Sequence, residues 1–214
     1  MPVVFMVNFK RRRKMNLSVI LLAAGEAKRM NGEKIRYRPE GKETMLEKVL
    51  YIVNNMKRFD SIELNKILVT NDLQESFVRE KAANWQVFLN PLYKTGMASS
   101  IVTGIKKAVE LNSEAVVLML ADMPFITVED VEAVIETYIR CKKSCGEGYK
   151  LIVRPCYENI PGFPVLFGAA YFEAMLALKG DVGAKSIIMG NKEHLVKIIS
   201  DNKGCTIDID SIEK

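Results

Sequence analysis

The sequence predicts an α/β fold of three layers, a doubly wound, mostly parallel sheet with Rossmann-like topology between two layers of helices. Three observations carry that prediction. The apolar runs "LSVILLAA" (17–24) and "AVVLMLA" (115–121) are short and unbroken, as strands buried on both faces must be. Between such runs lie amphipathic stretches whose apolar residues recur at helical spacing. Strand and helix then alternate from residue 17 to residue 140, the pattern of successive βαβ units.

Each element has its own warrant. After the first strand, "ETMLEKVLYIVNNMKRF" (43–59) sets Met45, Leu46, Val49, Ile52, Val53 and Met56 on one helical face. "KILVT" (66–70) is a second strand and "DLQESFVREKAANW" a second helix. "QVFLN" (86–90) is a third strand that runs into the loop "PLYKTGM", followed by the helix "ASSIVTGIKKAVEL" (98–111). Beyond the strand at 115–121, Thr127 and Asp130 stand at capping-box spacing and start another helix. Past the polar turn "CKKSCGEGYK" the pattern changes: "LIVRP" and "FPVLF" read as strands, 169–179 and 181–191 as helices, and "LVKII" and "CTIDID" as closing strands. No linker divides the chain, so residues 15–214 are expected to form a single domain.

Composition excludes several function classes. The net charge of +5 is carried by "KRRRK" at 10–14, and the remainder of the 214 residues is neutral, so no general nucleic-acid-binding surface is expected. Residues 1–14 place their charge after the apolar segment, the reverse of a signal peptide, and are expected to be a dispensable basic extension. No apolar run reaches the ~18 residues of a membrane span. Cys141, Cys145, Cys156 and Cys205 lack a disulfide-rich spacing, and one histidine, His194, is too little for a zinc site with them. Thiols kept reduced in a cytoplasm are the expectation.

Ligands of open α/β sheets sit beyond the carboxyl ends of the strands. There the chain places Gly25, which opens the loop after the first strand, and Asp122, directly after "AVVLMLA". A phosphate-cradling loop and a carboxylate on one crevice suit metal-assisted phosphoryl transfer. The loop is neither of two familiar kinds. Met30 stands where a P-loop needs its second glycine, and Ala27 and Met30 stand where a dinucleotide fingerprint needs glycines.

What remains, from Leu22 to Lys34, is L-A-A-G-x-x-x-R-M-x-x-x-K. It resembles the signature loop of nucleotidyltransferases that join a nucleoside triphosphate to a phosphorylated acceptor. "NPLYKTGMASSIVTG" (90–104), "LADMP" (120–124), "GFPVLF" (162–167), "GDVGAKSII" (180–188) and "DIDSIE" (208–213) follow in order. Together these segments resemble the molybdenum cofactor cytidylyltransferases, from about residue 17 onward, with their nucleotide-diphospho-sugar transferase-like fold. The resemblance implies transfer of CMP from CTP to the terminal phosphate of molybdopterin, with Mg²⁺, release of pyrophosphate and a recipient molybdoenzyme as partner. It implies a nucleotide held by Leu22, Ala23, Ala24 and Gly25, with Asn71, Asn90, Gly96 and Ser100 facing base and ribose. Arg29 and Lys34 would supply fixed positive charge to the phosphates, and Asp122 would bind the cation. Asp208 and Asp210 alternate along the terminal strand, and Asp210 is the expected second metal ligand. Asp181 and "GFPVLF" would lie on the pterin side.

Three departures bear on this expectation. Asn31 stands where glycine usually follows Arg-Met, and Ala27 replaces a common serine. Phe163 occupies a position where histidine is frequent, which leaves the acceptor more open than the transfer itself. A guanylyltransferase, a transferase for another small phosphate, and a non-catalytic nucleotide-binding partner of molybdoenzymes are the alternatives. Ala24, in place of a second glycine, favours cytosine over guanine by the same resemblance.

Overall fold

The computed structural model describes residues 13–25, 30, 33–39, 41–146 and 149–210. Its strands are β1 (Met15–Ala23), β2 (Ile62–Thr70), β3 (Gln86–Leu89), β4 (Ala115–Leu120), β5 (Ile152–Tyr157), β6 (Ile160–Pro161), β7 (Val165–Gly168) and β8 (Leu195–Ile199). The helices are α1 (Met45–Asn54), α2 (Glu75–Lys81), α3 (Met97–Glu110), α4 (Val128–Cys145), α5 (Phe172–Leu176) and α6 (Lys185–Met189). The eight strands form one sheet in the order β3-β2-β1-β4-β7-β5-β6, with β8 paired to β5. The β3-β2-β1-β4 block is parallel throughout. β7 runs antiparallel to both β4 and β5, while β8 is parallel to β5.

β1 shows why the central strands read as unbroken apolar runs. Leu17, Val19, Leu21 and Ala23 enter one core with residues of α1 and α4, whereas Ile20 and Leu22 enter a second core with residues of α3 and α5. Both faces are therefore covered, and each fully buried Ile or Leu contributes about 1.5–3 kcal/mol. On the second face α3 lies so close that a Cβ on Gly104 would come within 2.5 Å of Ile20 Cγ2. The start of α4 follows the spacing read from the sequence, and α1 starts on a second capping box that the sequence reading did not single out. Thr127 caps α4 and exchanges both capping-box bonds with Asp130, and Thr44 does the same for α1 with Glu47.

Three expectations need correction. β2 begins at Ile62, four residues ahead of the apolar run, because parallel pairing with β1 from Met15 extends it. The stretches 169–179 and 181–191 hold only the short helices α5 and α6, with Gly180 at φ 65° between them. Residues 205–210 form no strand: Lys203–Thr206 is a 3-10 turn, and the segment after it is tied to the sheet edge by a bond from Ile209 N to Asp122 O (2.9 Å). Between β5 and β7, the two-residue β6 pairs back onto β5. Among the described residues, no helix is long and apolar enough to cross a membrane. Of the basic extension over 1–14, only residues 13 and 14 fall within the described part.

Candidate active site

The carboxyl ends of β1 and β4 are adjacent in the sheet, so the loops leaving them share one edge. A cavity of about 410 Å³ opens there. Leu22, Ala24 and Gly25 line it from the end of β1 and the loop after it, Leu120 and Asp122 from the end of β4, Tyr93 to Gly96 from the loop before α3, and Met97 and Ser100 from the start of α3. Asp181 closes the far wall. Gly96 is indispensable to this wall: its φ is +115°, and a Cβ there would press into Gly180 O and lie 2.6 Å from Asp181 N. Ala98 N donates to Gly180 O (3.2 Å), which fastens the 180–181 turn to the start of α3.

Asn71 and Asn90 are not among the residues lining the cavity. Asn71 is buried and donates from Nδ2 to Ala24 O (3.2 Å) and Gly25 O (3.4 Å), while its Oδ1 accepts from Gln74 N. It therefore holds the backbone of the loop after β1. Asn90, also buried, donates to Ser99 Oγ (2.8 Å) and Ser100 Oγ (2.9 Å) and accepts from Leu92 N. It fixes the turn that leads to Gly96. Ala23 points into the core on the other face.

Beside the cavity, three carboxylates converge. One oxygen each of Asp122, Asp208 and Asp210 lies within 4.8 Å of the other two. Lys34 Nζ donates to Asp122 Oδ2 and to Asp210 Oδ1, each at 2.7 Å. Its position is set by the 3-10 turn Lys34–Arg36, in which Ile35 is buried and Arg36 stacks on the Phe77 ring at 4.6 Å. Burial pushes the Lys34 ammonium down, but Asp122 and Asp210 outweigh it, so its pKa is raised. The donor set is all carboxylate oxygen, which suits a hard divalent cation. Asp122 Oδ1 is buried and has no partner among the described residues, an unmet acceptor that a cation would satisfy. Lys34 offsets one of three negative charges, so the cluster also retains the charge that such an ion neutralises. By these tests the residues fit Mg²⁺ or Mn²⁺.

Arg29 lies outside the described residues, as do Ala27, Asn31 and Gly32. Lys94 is a cavity cation that sequence reading passed over, although the loop "PLYKTGM" holding it was in view. Its place became visible only when the loop folded back on β1.

Comparison with known proteins identifies the family. The MobA-like NTP transferase domain matches residues 19–196. This chain belongs to that family. The MobA-like chain is accordingly a nucleotidyltransferase. Its fold is similar to that of Rv0371c from Mycobacterium tuberculosis (21% identity, 92% and 94% of the two chains covered, TM-score 0.74). A structure of Rv0371c in complex with manganese is similar too (19%, 87% and 89%, 0.65). So is 4-diphosphocytidyl-2C-methyl-D-erythritol synthase from Anaerococcus prevotii (18%, 92% and 91%, 0.67). No curated protein matches the sequence of this MobA-like domain.

Proposed function

We propose that this nucleotidyltransferase moves CMP from CTP to the terminal phosphate of molybdopterin, with Mg²⁺, and releases pyrophosphate. The observation that carries the reading is the cluster of Asp122, Asp208 and Asp210, bridged by Lys34, beside a cavity framed by the Leu22–Gly25 loop. Family membership and the manganese complex of a similar fold support the metal. The ordered motifs that resemble cytidylyltransferases support the nucleotide, and the named synthase among similar folds agrees with it.

In this reading the backbone of Ala24 and Gly25, held by Asn71, lies against the nucleotide without a bulky side chain between them. Gly96 and Ser100 bound the other side, where ribose and base would sit. Asp122 and Asp210 would hold the cation, with Asp208 within reach. When bound, the cation neutralises the phosphates and fixes their geometry for in-line displacement. Lys34 orients phosphate oxygens and stabilises the departing pyrophosphate, with Arg29 as its companion. A phosphate nucleophile is already ionised near pH 7, so the mechanism needs no general base. Residues 1–14 take no part, and a chain lacking them keeps its activity.

Incubation with molybdopterin, Mg²⁺ and either CTP or GTP tests the assignment. Dinucleotide and pyrophosphate are expected with CTP. Equal use of both nucleotides, or of neither, overturns the specific reading. Phe163, in place of a frequent histidine, favours a second reading in which CMP goes to a different small phosphate. Pyrophosphate release with such an acceptor and none with molybdopterin would decide for it.

A further inference from the structure

We infer that Asp130, with Asn202 and Ser200, is a positioning residue: it sets Asp208 and Asp210 opposite Asp122 by anchoring the chain segment 200–210. The inference rests on the reading of the three carboxylates as a cation site.

Asp130 does more than cap α4. Capping is met by its bonds with Thr127, whose N and Oγ1 donate to Oδ2 at 3.0 and 3.1 Å. Two further donors come from far along the chain. Ser200 Oγ donates to Oδ1 (2.8 Å), and Asn202 Nδ2 donates to Oδ2 (2.7 Å). A buried carboxylate is costly unless its lone pairs are filled, so these bonds lock together once formed. Asn202 passes the constraint on. Its Nδ2 also donates to Phe125 O (2.9 Å), and its Oδ1 accepts from Gly204 N (2.8 Å), which starts the turn Lys203–Thr206.

That turn has little freedom to drift. A Cβ on Gly204 would lie 2.7 Å from the Phe125 carbonyl carbon, so the two backbones are in close apposition. Cys205 O accepts from Phe163 N (2.7 Å), and Ile209 N donates to Asp122 O (2.9 Å). Ile209 stands between Asp208 and Asp210, so this last bond places both carboxylates beside Asp122. The segment from β4 to the start of α4 thus carries a carboxylate at one end and the anchor for its two partners at the other. Asp130 touches neither nucleotide cavity nor cluster and acts through the backbone.

The test uses the full chain carrying Asn202→Ala, and separately Ser200→Ala, which removes one hydroxyl and is the gentler change. Mn²⁺ affinity is measured from the free-ion EPR signal without nucleotide, and pyrophosphate release is followed against metal concentration. The expected result for Asn202→Ala is Mn²⁺ affinity weakened roughly tenfold or more, as for losses of outer-shell support elsewhere. The metal requirement rises in parallel, while the rate at saturating metal stays near wild type. Ser200→Ala moves both readouts the same way by less, and carries the test if the other variant fails to fold. Folded variants with wild-type Mn²⁺ affinity would overturn the inference. Wild-type protein that binds no Mn²⁺ would overturn the cation reading first, and this inference with it.

Discussion

Replacing Lys34 by Met removes the cation from a cluster of three carboxylates while keeping most of the side-chain volume. Its two bonds are equal in length but not in worth. Asp122 is 24% exposed and Lys34 15%, so that bond lies toward the charge-assisted range of about 1.5–3 kcal/mol. Asp210 is 55% exposed, and solvent screening reduces its bond to about 0.5–1 kcal/mol. The expected loss at pH 7 without metal is therefore about 2–4 kcal/mol, or about 4–16 °C in Tm for a chain of this size. Because the pKa of Lys34 is raised above 10.5, this contribution is fully present below pH 10.5 and fades as pH climbs through the folded value. Urea denaturation with and without Mn²⁺ reads the effect. Mn²⁺ should recover much of the loss, since a divalent cation neutralises the same oxygens. A loss under about 0.5 kcal/mol, the size of a neutral surface change, would refute the reasoning. So would a larger loss that Mn²⁺ leaves untouched.

Three other outcomes are expected. Gly96→Ala forces a side chain into φ +115° and against Gly180, and should destabilise by about 3 kcal/mol or more while weakening CTP binding by calorimetry. Asp122→Asn keeps the shape of the site but removes a charge, and pyrophosphate release should fall by about two orders of magnitude or more at fixed Mg²⁺. The Glu47 carboxyl is held low, chiefly by the bond from Thr44 N, so its support of α1 is present above pH 4.5 and lost as pH falls further. In Glu47→Gln, the acid-side slope of Tm against pH should flatten over that range.

The parallel half of the sheet was legible because β1 and β4 are covered on both faces and their apolar runs carry no competing period. The same uniformity hid the direction of β7. "FPVLF" is as apolar as a parallel strand would be, and only its pairing with β4 and β5 reveals the reversal. Alternating Asp208 and Asp210 suggested a strand, but their segment is held by single bonds to other elements rather than by a ladder. Gly25 and Asp122 were readable as neighbours because sheet topology puts strand ends together, whereas Gly96 and Ser100, which line the same cavity, entered only through the family resemblance. Asn71 and Asn90 were expected by resemblance to face base and ribose; that they brace the loops depends on which carbonyls and hydroxyls the fold brings near their amides. Asp130 read as a capping residue and nothing more, since its partners Ser200 and Asn202 come together with it only in three dimensions.

The carboxylate cluster and the lysine that bridges it draw on residues 34, 122, 208 and 210. A chain emerging from the ribosome can complete β1 through β4 while the last two acids are still unmade. On the proposed function, capture of a cation at this place would report that the closing segment has docked, and a folding intermediate with an intact parallel sheet would be blind to the metal. Appearance of Mn²⁺ affinity during refolding would then be a clock for the final step of assembly.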